Sequence, residues 1–222
     1  GLKELEIDIN NTDLYLTHLH SDHVGLAATI MPKDATIYMG SVDYDYLMTS
    51  VTGTHWEDTD KAFLSHGFPE DKIIELHTKN PARAFQVAGP FDAVKLEDGD
   101  KIQVGDYEFK CIYVPGHTPG NTCLYYEKDA LMFLGDHVLF DITPNITAWF
   151  GVKDSLDSYL NSLKKIRQYK MVTALPAHRS TKGINVYDRI DQLLVHHEER
   201  LKDTEKVVKM IPGSTAYEIA AY

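Results

Sequence analysis

The run Thr17-His18-Leu19-His20-Ser21-Asp22-His23-Val24-Gly25 constrains this chain more than any other stretch. A strand-like segment, Asp13 to Thr17, leads into it, and Gly25-Leu26-Ala27-Ala28 can open a helix behind it. Side chains alternate across an extended backbone, so His18 and His20 point the same way. Asp22 and His23 follow at the turn. Four ligand-type side chains within six residues can serve two metals from one loop. Neutral imidazole and carboxylate are ligands that divalent zinc, manganese and iron accept.

Partners for such a loop occur at three later places. Pro115-Gly116-His117-Thr118-Pro119-Gly120 puts a histidine in a tight Gly/Pro loop, which holds a ligand still. Gly135-Asp136 follows the apolar run Leu131 to Leu134, and Pro176-Ala177-His178 follows Met171 to Leu175. Each cluster ends a strand-like segment, so a sheet would present them all on one face. Further strand-like runs are Ala35 to Met39, Tyr107 to Val114 and Thr122 to Glu127. Helical periodicity marks Ser155 to Tyr169, with Asp154 or Ser155 as its cap, and Val186 to Met210, stopped by Pro212-Gly213. Ser214 is expected to cap a further helix.

Composition narrows the partners. The 222 residues carry a formal net charge of -11, which disfavours a broad nucleic-acid-binding surface. No apolar run is long enough for a membrane helix. The two cysteines, Cys111 and Cys123, read as buried free thiols, and with no signal peptide at the start they suit a cytoplasmic protein. The expected partner is a small-molecule substrate. His55, His66, His77, His196 and His197 read as surface or packing residues, and His137 as a candidate support for Asp136. Residues 41–90 are rich in aromatics and short helical patterns, such as Asp60 to His66 and Glu70 to Leu76, and read as a helical cap over a pocket. Tyr38, Trp149, Phe150 and Arg179 are further candidates for its lining.

The ordered set THLHSDH, PGHTPG, GD and PAH, spanning His18 to His178, resembles the metallo-β-lactamase fold superfamily. The resemblance implies an α/β fold, a four-layer αββα sandwich with metals at one edge of its two sheets. It implies two divalent cations, zinc foremost, with iron or manganese as alternatives. His18, His20 and His117 resemble the ligands of one metal; Asp22, His23 and His178 resemble those of the other. Asp136 resembles the bridging carboxylate. True β-lactamases of this fold lack that Asp, so the chain is more similar to the glyoxalase II-like, lactonase-like and β-lactamase-like endoribonuclease branches. Asn121 stands where glyoxalase II has a second histidine, and Ala177 and Arg179 stand where glycines commonly flank the last one. These departures bear on a glutathione-thioester assignment and not on the metal ligands.

The implied activity is that of a dinuclear metal-dependent hydrolase. A hydroxide bridging two cations would attack a small ester, thioester or lactone. Asp136 would hold the metal spacing, and Asp22 is a ligand that can also take up a proton. One alternative is a nuclease or phosphodiesterase, favoured by a basic open groove. A second is a mono-iron, persulfide dioxygenase-like oxidoreductase, marked by one iron per chain and oxygen uptake. A third is a binding module on a dead site, against which the full ligand set argues. The expected organisation is a domain over residues 1–211 with the cap inserted at about 41–90, then the start of a truncated helical segment over 212–222. Proteins of the resembled fold carry several strands before the first histidine cluster, so the native protein is expected to be longer at both ends. A partner chain could also cover the exposed sheet edges, which keeps a homo-oligomer open.

Overall fold

A computed structural model describes residues 2, 4–53, 55–80 and 84–222. The side chains of His55 and His77 lie outside the described residues. The strands form two sheets. The first, of order β1-β2-β3, is parallel and contains β1 (Leu14–Leu16), β2 (Ile37–Gly40) and β3 (Val94–Leu96). The second has order β4-β5-β6-β7-β8, from β4 (Lys101–Val104), β5 (Tyr107–Tyr113), β6 (Thr122–Tyr126), β7 (Leu131–Gly135) and β8 (Thr173–Pro176). Its first four strands are antiparallel, and β8 joins β7 in parallel.

Period-two alternation sends each strand's side chains to two different cores. From β1 and β2, Leu16, Ile37 and Met39 turn outward and pack with Val24, Ala27 and Leu47. Those three residues belong to α1 (Ser21–Val24), α2 (Ala27–Ile30) and α3 (Ser41–Thr52). The intervening Tyr15 and Tyr38 turn inward, against Leu96, Ile102, Cys111 and Leu124, and glue the two sheets together. From β5 to β7, Ile112, Cys123, Tyr125, Met132 and Leu134 turn to the opposite side. There they meet Tyr159, Leu163 and Ile166 of α6 (Ser155–Ile166) and Ile190 and Leu193 of α7 (Val186–Met210). Three cores in sequence make four layers, an αββα sandwich. Every residue of β6 is buried because it lies central in its sheet with a layer on each face.

Residues 41–90 lie between the parallel neighbours β2 and β3. They hold α3, α4 (His55–Ser65) and α5 (Glu70–Lys79). Asp154 caps α6 by accepting from the Asp157 N–H, and Asn185 caps α7. The last helix, α8 (Ala216–Ile219), is capped by Thr215 in a reciprocal pair with Glu218, not by Ser214 as the sequence suggested. Strands β3 and β4 escape sequence reading because each buries a single side chain, Leu96 or Ile102, among exposed neighbours. Both cysteines are free and buried. Among the described residues, no helix is long and apolar enough to cross a membrane.

Candidate metal centre

All seven candidate ligands meet where the two sheets end on the same side. His18 and His20 follow β1, and Asp22 and His23 lie on α1. His117 follows β5, Asp136 follows β7 and His178 follows β8. Their ligand atoms fall into three overlapping groups, each within 4.8 Å: His18, His20 and His117; His18, His23 and Asp136; Asp22, His23 and His178. Asp136 lies between the outer groups. One oxygen is 3.6 Å from His117 Nε2, and the other is 3.5 Å from His23 Nε2 and 3.4 Å from His178 Nε2. Burial is graded across the cluster. His18 and His117 are buried, whereas the Asp22 side chain is 58% exposed and that of His178 40%. Solvent therefore reaches the cluster from the Asp22–His178 side.

The electrostatics favour neutral imidazoles, the form that ligates cations. Burial, helped by the neighbouring histidines, holds His18 well below the usual range. Burial and then His117 push His20 down to about 3. His23 and His117 are lowered by burial, against the opposing pull of Asp136. Two polar atoms, His117 Nε2 and Asp136 Oδ1, are buried without a hydrogen-bond partner among the described residues. Such atoms are costly to bury unless something else meets them, and a divalent cation fits this donor set.

The supports of the cluster come from elsewhere in the chain. His117 Nδ1 faces the Asn145 carbonyl at 2.7 Å, which leaves Nε2 for a ligand. The Trp149 indole N–H donates to the His117 carbonyl, and its ring stacks on His20 at 5.8 Å. Gly116 has φ +136°, and a Cβ there would sit 2.4 Å from the Tyr159 backbone, so only glycine lets the histidine loop lie against α6. The Ser162 hydroxyl of α6 donates to the Pro115 carbonyl, and the Tyr159 hydroxyl to that of His137. His137 is fully buried, and burial lowers it to about 3 against the opposing pull of the Ser162 backbone.

Sequence reading missed Asp43. This carboxylate, at the start of α3, is fully buried. It accepts from the Leu19 N–H at 3.0 Å, the Thr118 hydroxyl at 2.6 Å and the Gly120 N–H. One side chain thus ties the His18–His20 loop to the His117 loop. Burial raises it to about 6 against those three donors. Its only sequence signal is an acid among apolar neighbours just after a strand. Of the proposed lining residues, Trp149, Phe150 and Arg179 line cavities beside the cluster. Tyr38 does not; it packs between the sheets.

Residues 12–178 match the Metallo-beta-lactamase superfamily. The chain belongs to that family. An uncharacterised protein of Aquifex aeolicus is 31% identical over 130 residues, covering 58% of this chain and 50% of that one. A hydroxyacylglutathione hydrolase of Maricaulis maris is 29% identical over 148 residues, covering 60% and 54%. The chain thus spans about half the length of these curated relatives. A metallo-beta-lactamase family protein of Thermus thermophilus shares the fold with a TM-score of 0.75 at 24% identity, covering 98% of this chain and 70% of that one. Superfamily members bind divalent metals, and the histidine and aspartate groups here could hold them.

Proposed function

We propose that this chain is a dinuclear metal-dependent hydrolase of small esters, thioesters or lactones. His18, His20 and His117 would hold one cation and Asp22, His23 and His178 the second, with the Asp136 carboxylate lying between the two ligand groups. The observation that carries the substrate class is a cavity of about 260 Å³ that opens at His20. Tyr46, Trp56, Phe63, Trp149 and Phe150 line it, and no lysine or arginine does so among the described residues. An apolar pocket of this kind takes an acyl or aryl group. The similarity to a hydroxyacylglutathione hydrolase supports a thioester within this class.

Two divalent cations, zinc foremost, supply Lewis acidity and water activation when bound. The protein positions and excludes. Trp149 fixes His20 and His117 from the pocket side. The α3 and α4 segments wall the acyl group away from water. Asp22, at 3.2 Å from His178 on the exposed side, is placed to take up a proton. Metal quantification with a panel of thioesters, lactones and phosphodiesters tests the reading. Two metals per chain and turnover of the carbonyl substrates are expected. Asp136→Ala should lower both the metal content and kcat/KM, the latter by at least about 100-fold. Full activity in that variant, or turnover of phosphodiesters alone, would overturn it.

A further inference from the structure

A second cavity, of about 470 Å³, lies on the other side of the cluster. His20, His117, Asp136, Asn145, His178 and Arg179 line it. His20 and Asn145 line both cavities, so the two meet at the metal cluster. Their chemistry differs. The first is aromatic and without cations, and the second holds one cationic side chain among its lining residues, Arg179.

Arg179 follows the candidate ligand His178 directly and has φ +63°, a conformation that non-glycine residues rarely adopt. Among the described residues its guanidinium makes no hydrogen bond or ion pair, although the chain carries 33 acidic side chains. Some surface cations find partners among the described residues, as Arg167 does with Asp191 and Lys182 with Asp141, and others such as Arg200 and Lys153 do not; what sets Arg179 apart is its place on a cavity shared with the candidate ligands. A planar five-donor group left free at the mouth of a cavity is suited to a carboxylate or phosphate. The chain's net charge of -11 disfavours anions in general, and at this cavity Arg179 would add its charge to that of bound cations in holding one.

We infer that the site takes a bipartite substrate, with an apolar acyl group in the aromatic cavity and an anionic leaving group held by Arg179. This rests on the hydrolase reading for the position of the scissile bond, between the two cavities beside His20. The cavity has room for a small aryl or alkyl acyl group, and phenylacetyl matches its aromatic lining.

The chain's two tryptophans, Trp56 and Trp149, both line the aromatic cavity, so occupancy is readable by fluorescence. The probes are N-phenylacetylglycine and its neutral methylamide, titrated into the metal-loaded protein. The carboxylate should bind about 10-fold tighter, the gain of one charge-assisted contact. Arg179→Gln should remove that preference, and Arg179→Lys should restore part of it. Equal binding of the two probes by the unaltered protein overturns the inference. So does a carboxylate preference that survives Arg179→Gln, since the cluster itself would then be reading the charge. Hydrolysis of the phenylacetyl thioester of mercaptoacetate is followed alongside. If that thioester stays intact while the Arg179-dependent preference holds, the hydrolase reading fails and the anion subsite stands. If it is cleaved with no dependence on Arg179, the reverse is true.

Discussion

Asp43 shows what a single side chain does for a site it never enters. Three donors converge on its carboxylate, two from the loop of His117 and one from between His18 and His20. An asparagine offers one acceptor oxygen and turns an N–H₂ toward a donor. Asp43→Asn should therefore weaken metal binding by about 10- to 100-fold, as loss of ligand-supporting contacts does. Thr118→Val, which removes one donor, should cost less. Competition against a chromophoric chelator measures both, and unchanged affinity in Asp43→Asn would refute the role. The seven candidate ligands were legible from sequence because imidazole and carboxylate announce their own chemistry when clustered after strands. Asp43 was not, since an acid in the first turn of a helix is ordinary. Asn145 was not either, because it acts through its carbonyl, which every residue type possesses.

Elements were legible in proportion to the apolar surface they bury. α6 and α7 each present an apolar stripe to the same core and were readable almost to their ends. β3 and β4 gain their place from neighbours and carry little pattern of their own. The loop between β5 and β6 depends on contact with α6, which no local pattern encodes. Gly116→Ala tests that contact. The added methyl has no room and the backbone angle is unfavourable, so a loss of about 1–3 kcal/mol is expected. For a chain of this size that is roughly 2–12 °C in Tm, read by thermal melting. A Tm within error of the unaltered protein would show that the loop can lift off α6 freely.

At the scale of the molecule, the cluster joins segments from both sheets, so cation binding and folding are coupled. With metal at about 1,000 times its Kd, binding adds roughly 4 kcal/mol, and chelation should lower Tm by roughly 8–16 °C. A melting point indifferent to EDTA would contradict this. The metal-free protein should also be acid-sensitive. His20 and His137 fall to about 3 in the folded chain from an ordinary 6.5. Below pH 6.5 the unfolded chain takes up protons that the folded one refuses. Stability is thus full above about 6.5 and falls as the pH drops toward 3, by up to about 1.4 kcal/mol per pH unit for each histidine. Urea titrations of the metal-free protein between pH 7 and 4 measure the slope, and a flat profile would count against buried neutral rings.

The stretch between β2 and β3 has one more consequence. The Tyr44 hydroxyl donates to the Phe91 carbonyl, closing the base of everything between those residues. That stretch leaves β2 and returns to its immediate neighbour β3, so its length is free of the strand register. All seven candidate ligands, and Asp43 with them, lie outside it. Its flanks are anchored, because Leu47 and Val87 are buried with Leu16 and Met39, so a change of length that spares the cation-binding apparatus belongs in the middle of the stretch.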